Sequence, residues 1–150
     1  MFGKKHVMMN YNKIADYLYV GSNFCCQMDF DKMLIQKEGI AADVSIEDER
    51  VDAPFGLKFF LWLPTKDNTA PTFDQLKAGA NFIKEMIDQK KPVYIHCKNG
   101  HGRAPTMAAA YLIMAGMGVD EAIALLKKQR PEVHPVAEQI EALRKFSQNK

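Results

Sequence analysis

The chain has 150 residues, a formal net charge of +2, 47% hydrophobic and 25% charged residues. That is the size and composition of one globular domain, and the charge is too small to argue for nucleic acid as a partner. No apolar run approaches the roughly 18 residues of a membrane span.

The basic opening "MFGKKHVMMNYNK" has no apolar stretch behind it, so no signal peptide is expected. "KFSQNK" at the other end carries no prenylation box. Three cysteines do not make a disulfide framework, which points to a reducing, cytoplasmic location. Neither repeats nor a shift in composition divide the sequence, so residues 1–150 are expected to form a single domain.

In chain order, "IADYLYVG" (14–21) reads as a strand or tight hairpin closed by Gly21. "MDFDKMLIQKEG" (28–39) reads as a helix stopped by Gly39, and "IAADVSI" (40–46) as the next strand. "LKFFLWL" (57–63) is expected to be a buried strand ending at Pro64. Thr72 and Gln75 fit a capping box, and Leu76, Ala80, Ile83 and Ile87 share one face of the helix that follows. Pro92 ends that helix and "VYIHC" (93–97) is a short apolar strand. A largely apolar helix, "TMAAAYLIMAG", closes at Gly116 or Gly118, and Asp120 is expected to cap "EAIALLKKQR". Pro131 and Pro135 bracket a turn before "VAEQIEALRKF". Strands alternating with helices imply an α/β fold with a mainly parallel sheet, in which ligands bind beyond the carboxyl ends of the strands.

One such loop is "CKNGHG", leading into Arg103 and a helix. Gly100 and Gly102 can take positive φ and Asn99 tolerates it, so the backbone can curl with its N–H groups inward. Inward N–H groups at a helix N-terminus form an anion cradle, and the guanidinium of Arg103 can bind two phosphate oxygens. A thiol in such surroundings is favoured as thiolate, the nucleophilic form. Cys97 is therefore a candidate nucleophile aimed at phosphorus, with Lys98, Asn99, Gly100, His101 and Gly102 as candidate substrate-binding positions.

"HCKNGHGR" (96–103) matches HCxxGxxR, and the chain resembles the cysteine-dependent protein tyrosine and dual-specificity phosphatases. "IADYLYVGS" is similar to that family's opening strand, and "YLIMAGMGVDEAIALLKKQRP" to the helix pair after its catalytic loop. The resemblance implies a four- or five-stranded, mainly parallel sheet flanked by helices. It implies attack by Cys97 and phosphate held by Arg103. His96, Cys97, His101 and His134 have no second Cys/His cluster with ligand spacing beside them, so no metal is expected, and no cofactor. His96 would support the loop.

A leaving alcohol needs a proton, and an Asp on a loop is the usual donor. Asp67 in "LWLPTKDNTAPT" lies thirty positions before Cys97, near where similar enzymes carry an acidic residue. Lys66 departs from the acidic pair found there in many of them. Asp74 is the second choice, since a carboxylate in a first helical turn simply complements the dipole. Gln139 is a candidate for positioning the hydrolytic water. Cys25 and Cys26 could shelter Cys97 by a reversible disulfide, although free cysteines are more often buried filler. Ala104 stands where most of the family has Ser or Thr, and "GRAP" resembles the phosphatases of regenerating liver and plant glucan phosphatases.

The expected function is hydrolysis of phosphate monoesters through a phosphocysteine intermediate. The expected substrates are phosphotyrosine, phosphoserine or phosphothreonine proteins, with phosphoinositides, inositol phosphates, lipid phosphates or glucan phosphates as the alternative. Two rivals are a rhodanese-like sulfurtransferase, which would have no use for Asp67, and a phospho-ligand binding module that retains the cradle without turnover.

Overall fold

The computed structural model describes residues 8–24 and 26–150. Its centre is a five-stranded sheet in the order β1-β2-β5-β3-β4, with β1 Tyr11–Ala15, β2 Leu18–Gly21, β3 Ala42–Glu47, β4 Phe59–Thr65 and β5 Val93–His96. β1 and β2 form the antiparallel hairpin, turning at Asp16–Tyr17 with Tyr17 at φ 65°. β2, β5, β3 and β4 run parallel, so their carboxyl ends gather at one edge.

Helix α1 spans Gln27–Asp29 and continues as a π-helical stretch over Phe30–Lys37. It buries Phe30 and Leu34 against Tyr19 and Tyr94 on one face of the sheet. Four helices cover the other face: α2 Phe73–Asp88, α3 Arg103–Met114, α4 Val119–Gln129 and α5 Ala137–Asn149. α3 is the central one, buried along nearly its whole length. The main core combines Leu18, Val20, Val44, Ile46, Val93 and Ile95 of the sheet with Met107, Ala108 and Ile113 of α3. Thr72 and Gln75 form the expected reciprocal cap at the start of α2.

Several boundaries differ from the sequence reading, three of them for a clear physical reason or with a consequence for the site. β4 does not stop before Pro64 but runs through it to Thr65; it is the sheet's edge strand, where a missing N–H breaks no ladder. The N-cap of α4 is Gly118, not Asp120, which lies inside the first turn and complements the helix dipole. β5 ends at His96, which leaves Cys97 as the first residue of the loop.

Candidate active site

β5, buried along its length, delivers Cys97 to the sheet edge with 3% of its surface exposed. The loop then doubles back, and the Gly100 N–H donates to Cys97 Sγ at 3.3 Å. Gly100 has φ 72°, and a Cβ there would lie 2.5 Å from the Gly21 carbonyl, so only glycine fits against β2. The loop ends at the N-terminus of α3, whose unpaired N–H groups and dipole face the same space.

Arg130 holds this loop from behind. It is buried; its Nε donates to the Gly100 carbonyl at 2.9 Å and its Nη2 to the Asn99 carbonyl at 2.9 Å. Further donations go to Asn12 Oδ1 at 2.9 Å and Asn10 Oδ1 at 2.6 Å, tying β1 and its approach to the loop.

Arg103 opens α3 with 2% of its side chain exposed. Nη1 donates to Glu49 Oε2 at 3.0 Å and to the Thr65 carbonyl at 2.9 Å, while Nη2 lies 2.9 Å from Glu49 Oε1. That bidentate pairing fixes the plane of the guanidinium. Burial, the largest single influence, would raise the Glu49 carboxyl, but the hydrogen bond and charge of Arg103, a backbone hydrogen bond and the charge of Lys98 together hold it below the usual carboxylate range. Nε of Arg103 is buried without a hydrogen-bond partner; Asp67 Oδ1 stands 3.5 Å from it.

Asp67 follows β4 on an exposed turn in which Asn68, at φ 62°, donates its N–H back to Asp67 Oδ1 at 2.9 Å. Gln139 pins the turn: Nε2 donates to the Thr69 carbonyl at 3.0 Å, and Oε1 accepts the Val136 N–H at 2.9 Å. Both ends of the Gln139 amide thus serve the loop and the start of α5. A cavity of about 190 Å³ collects Asp67, Cys97, His101, Gly102, Arg103 and Gln139, with Asn99, Asn68, Val136 and His134 at its margin. Lys98 is exposed and faces a separate surface hollow beside Asn23 and Arg50. Asp74 sits in the first turn of α2 and does not line the cavity.

His96 points to the opposite face of the sheet. Its Nε2 pairs with Asp43 at 2.9 Å, both side chains fully buried, and its ring stacks on Tyr94 at 5.4 Å. Burial, the largest single influence, would lower the imidazole, but the charge and hydrogen bond of Asp43, with Glu47 and Asp52 nearby, together raise it. His101 and His134 meet at 5.1 Å between ring centroids. Burial, His134 and Arg130 together hold His101 below its ordinary value. Ala104 is buried in the core, and the Thr106 hydroxyl donates to the Gly102 carbonyl at 2.7 Å, not to the sulfur. Cys25 lies outside the described residues; Cys26 is a free thiol on a different cavity from Cys97.

Glu49, Arg130 and Asp43 are the participants the sequence reading missed. Asp43 left a trace: Asp43, Ser45 and Glu47 alternate with Val44 and Ile46. Alternation normally marks a solvent-facing side, yet all three are buried here. Glu49 and Arg130 sit in ordinary charged stretches with no local signal.

A thiol one residue beyond a parallel strand, a loop of N–H donors and an arginine at the next helix define a cysteine-based phosphatase site. Residues 23–117 match the family model "Polymorphic toxin system, DSP-PTPase phosphatase", and the chain belongs to that family of dual-specificity-type phosphatases. It is 38% identical over 88 residues to the human "Phosphatidylglycerophosphatase and protein-tyrosine phosphatase 1", covering 57% of this chain and 44% of the relative. It is 28% identical over 125 residues to the mouse "Dual specificity protein phosphatase 2", covering 82% of this chain and 38% of the relative. The chain therefore spans less than half the length of these curated relatives. Among solved structures it resembles "PTPMT1 in complex with PI(5)P", with a TM-score of 0.84, 26% identity and coverage of 93% and 95% of the two chains. Among the described residues, no helix is long and apolar enough to cross a membrane.

Proposed function

We propose that this chain hydrolyses phosphate monoesters through a phosphocysteine intermediate. The observation that carries the reading is the convergence of Cys97, the loop amides, Arg103 and Asp67 on one cavity. The Cys97 thiolate attacks phosphorus in line, the S–P bond forms and the P–O bond to the leaving group breaks. Asp67 gives its proton to the departing oxygen. Arg103, aligned by Glu49, and the loop N–H groups bind the equatorial oxygens, whose charge redistributes in the transition state. Water then attacks the phosphocysteine and Asp67, now a carboxylate, takes its proton. The S–P bond breaks, releasing inorganic phosphate and restoring the thiolate.

Between substrate classes, a phosphorylated lipid or polyol head group has the stronger support. The human relative is named for phosphatidylglycerophosphate as well as phosphotyrosine, and the similar PTPMT1 structure holds PI(5)P. The phosphoprotein reading rests on the kinship with dual-specificity protein phosphatases. The test is kcat/KM measured side by side for phosphatidylglycerophosphate, phosphatidylinositol 5-phosphate, a phosphotyrosyl peptide and a phosphothreonyl peptide. A preference of tenfold or more for either lipid supports the head-group reading; an equal preference for a peptide replaces it.

A further inference from the structure

Behind the catalytic loop, on the face of the sheet away from the cavity, lies a second cluster that joins the loop-supporting His96 to two carboxylates, Glu47 and Asp52, which the phosphatase chemistry does not use. Glu47 ends β3, Asp52 follows in the next loop and His96 ends β5. One side-chain donor atom from each lies within 4.8 Å of the other two. Glu47 and His96 are fully buried and Asp52 is nearly so, with 11% of its side chain exposed.

We propose that Glu47, Asp52 and His96 form a binding site for one divalent cation of the zinc class, placed to brace the catalytic loop from behind.

Three features carry this. First, His96 uses Nε2 on Asp43 and its buried Nδ1 has no partner. A histidine whose second nitrogen rests on a carboxylate is the usual supporting arrangement of a metal ligand. Second, three carboxyl groups, those of Asp43, Glu47 and Asp52, crowd one space, with Asn23 Nδ2 donating to Glu47 Oε2 at 3.2 Å. Arg50 reaches Asp52 at 2.9 Å but Glu47 only at 3.9 Å. Oδ1 of Asp43 and Oδ2 of Asp52 have no hydrogen-bond partner. Third, there is a way in. A surface hollow of about 320 Å³, lined by Phe24, Cys26, Arg50, Asp52 and Phe55, opens beside Asp52, and the Arg50 side chain is 47% exposed.

The donor set selects the metal. One imidazole with carboxylates suits zinc or cobalt better than magnesium or calcium, which take oxygen alone. Zinc bonds of about 2.0–2.1 Å require the donor atoms to draw in by roughly an ångström from their present spread. The side chains of Asp52 and Arg50, on the loop after β3, supply that movement. The cation touches no substrate atom. By fixing Glu47 and Asp52 it holds the segment between them, which carries Glu49 to Arg103.

The test uses the full chain, stripped with a chelator and titrated with zinc or cobalt(II) alone. Wild type is expected to bind one equivalent with a rise in Tm of several degrees at saturation. The cobalt form should show visible d–d bands with no thiolate charge-transfer band in the near-ultraviolet, which separates this site from metal captured by Cys97. Glu47→Gln and Asp52→Asn should each lose that equivalent and the Tm rise, and Arg50→Ala should bind more tightly by removing the competitor for Asp52. If Glu47→Gln does not fold, Asp52→Asn at the surface edge decides the matter. The proposal is overturned if wild type shows no Tm rise in either metal. It is equally overturned if the bound equivalent carries the thiolate band or survives in Asp52→Asn.

Discussion

Glu49 and Arg103 meet as two parallel pairs, Oε2 3.0 Å from Nη1 and Oε1 2.9 Å from Nη2, leaving the Nε side of the guanidinium turned to the cavity. A planar fork clamped on one edge presents its other edge in a fixed direction. Glu49→Gln keeps the shape but loses the charge and one acceptor. A hydrogen bond to a charged group is worth about 1.5–3 kcal/mol, and part of it is screened here, so kcat/KM should fall about tenfold. Alkylation of Cys97 by iodoacetamide should keep its rate, showing that the cradle itself is intact. A variant with unchanged kcat/KM would mean that Arg103 needs no such clamp.

Arg130 should matter to both fold and loop. Four acceptors, two of them catalytic-loop carbonyls, depend on its guanidinium. Leaving buried acceptors unpaired costs about 1–3 kcal/mol each, though not additively. Arg130→Met should lower Tm by about 10 °C, and Arg130→Lys should not restore it, since a single ammonium cannot span the fork. A Tm within about 2 °C of wild type in thermal unfolding would refute the bracing role.

The candidate centre was legible because its residues are local. Cys97 and Arg103 lie within one short motif bounded by a strand and a helix, and Asp67 stands at the end of the preceding strand. The residues that aim and hold that centre were not legible, because they arrive from distant parts of the chain. Glu49 reaches Arg103 across 54 positions, and Arg130 reaches Asn10 across 120. The burial of Asp43, Ser45 and Glu47 on β3 was not legible for a related reason: that side is covered by tertiary structure, and no local rule shows which loop will cover it. Gln139 was read as positioning the hydrolytic water; it lines the cavity, and its amide holds the Asp67 turn through Thr69, a contact that sequence spacing does not reveal.

Asp67 is expected to act as the general acid. Asp67→Ala should slow hydrolysis of an alkyl or phenyl phosphate by ~10²–10⁴-fold, while a substrate with a strongly acidic leaving group loses little. Steady-state rates on the two substrates check this. Equal losses on both would move the proton donor elsewhere.

Ala104 offers no hydroxyl to the sulfur, and the Thr106 hydroxyl is engaged by the Gly102 carbonyl. In the proposed mechanism, neither position then supplies a side-chain donor to the departing thiolate when the phosphocysteine breaks down. Ala104→Ser should raise kcat, by roughly 10–100-fold if that step limits turnover, and shrink the pre-steady-state burst of leaving group. Stopped-flow kinetics that show no burst in wild type and no gain in Ala104→Ser would assign the alanine to packing alone.

The central claim is that phosphorus passes through Cys97. The direct measurement is rapid quench of the enzyme with a ³²P-labelled phosphate monoester in alkaline detergent, followed by digestion and mapping of the labelled peptide above neutral pH. One equivalent or less of label that iodine releases, on the peptide holding Cys97 and absent from Cys97→Ser, is the predicted result, with turnover in that variant below about a hundredth of wild type. Label on another residue, or a Cys97→Ser variant that still turns over at wild-type rate, would contradict it.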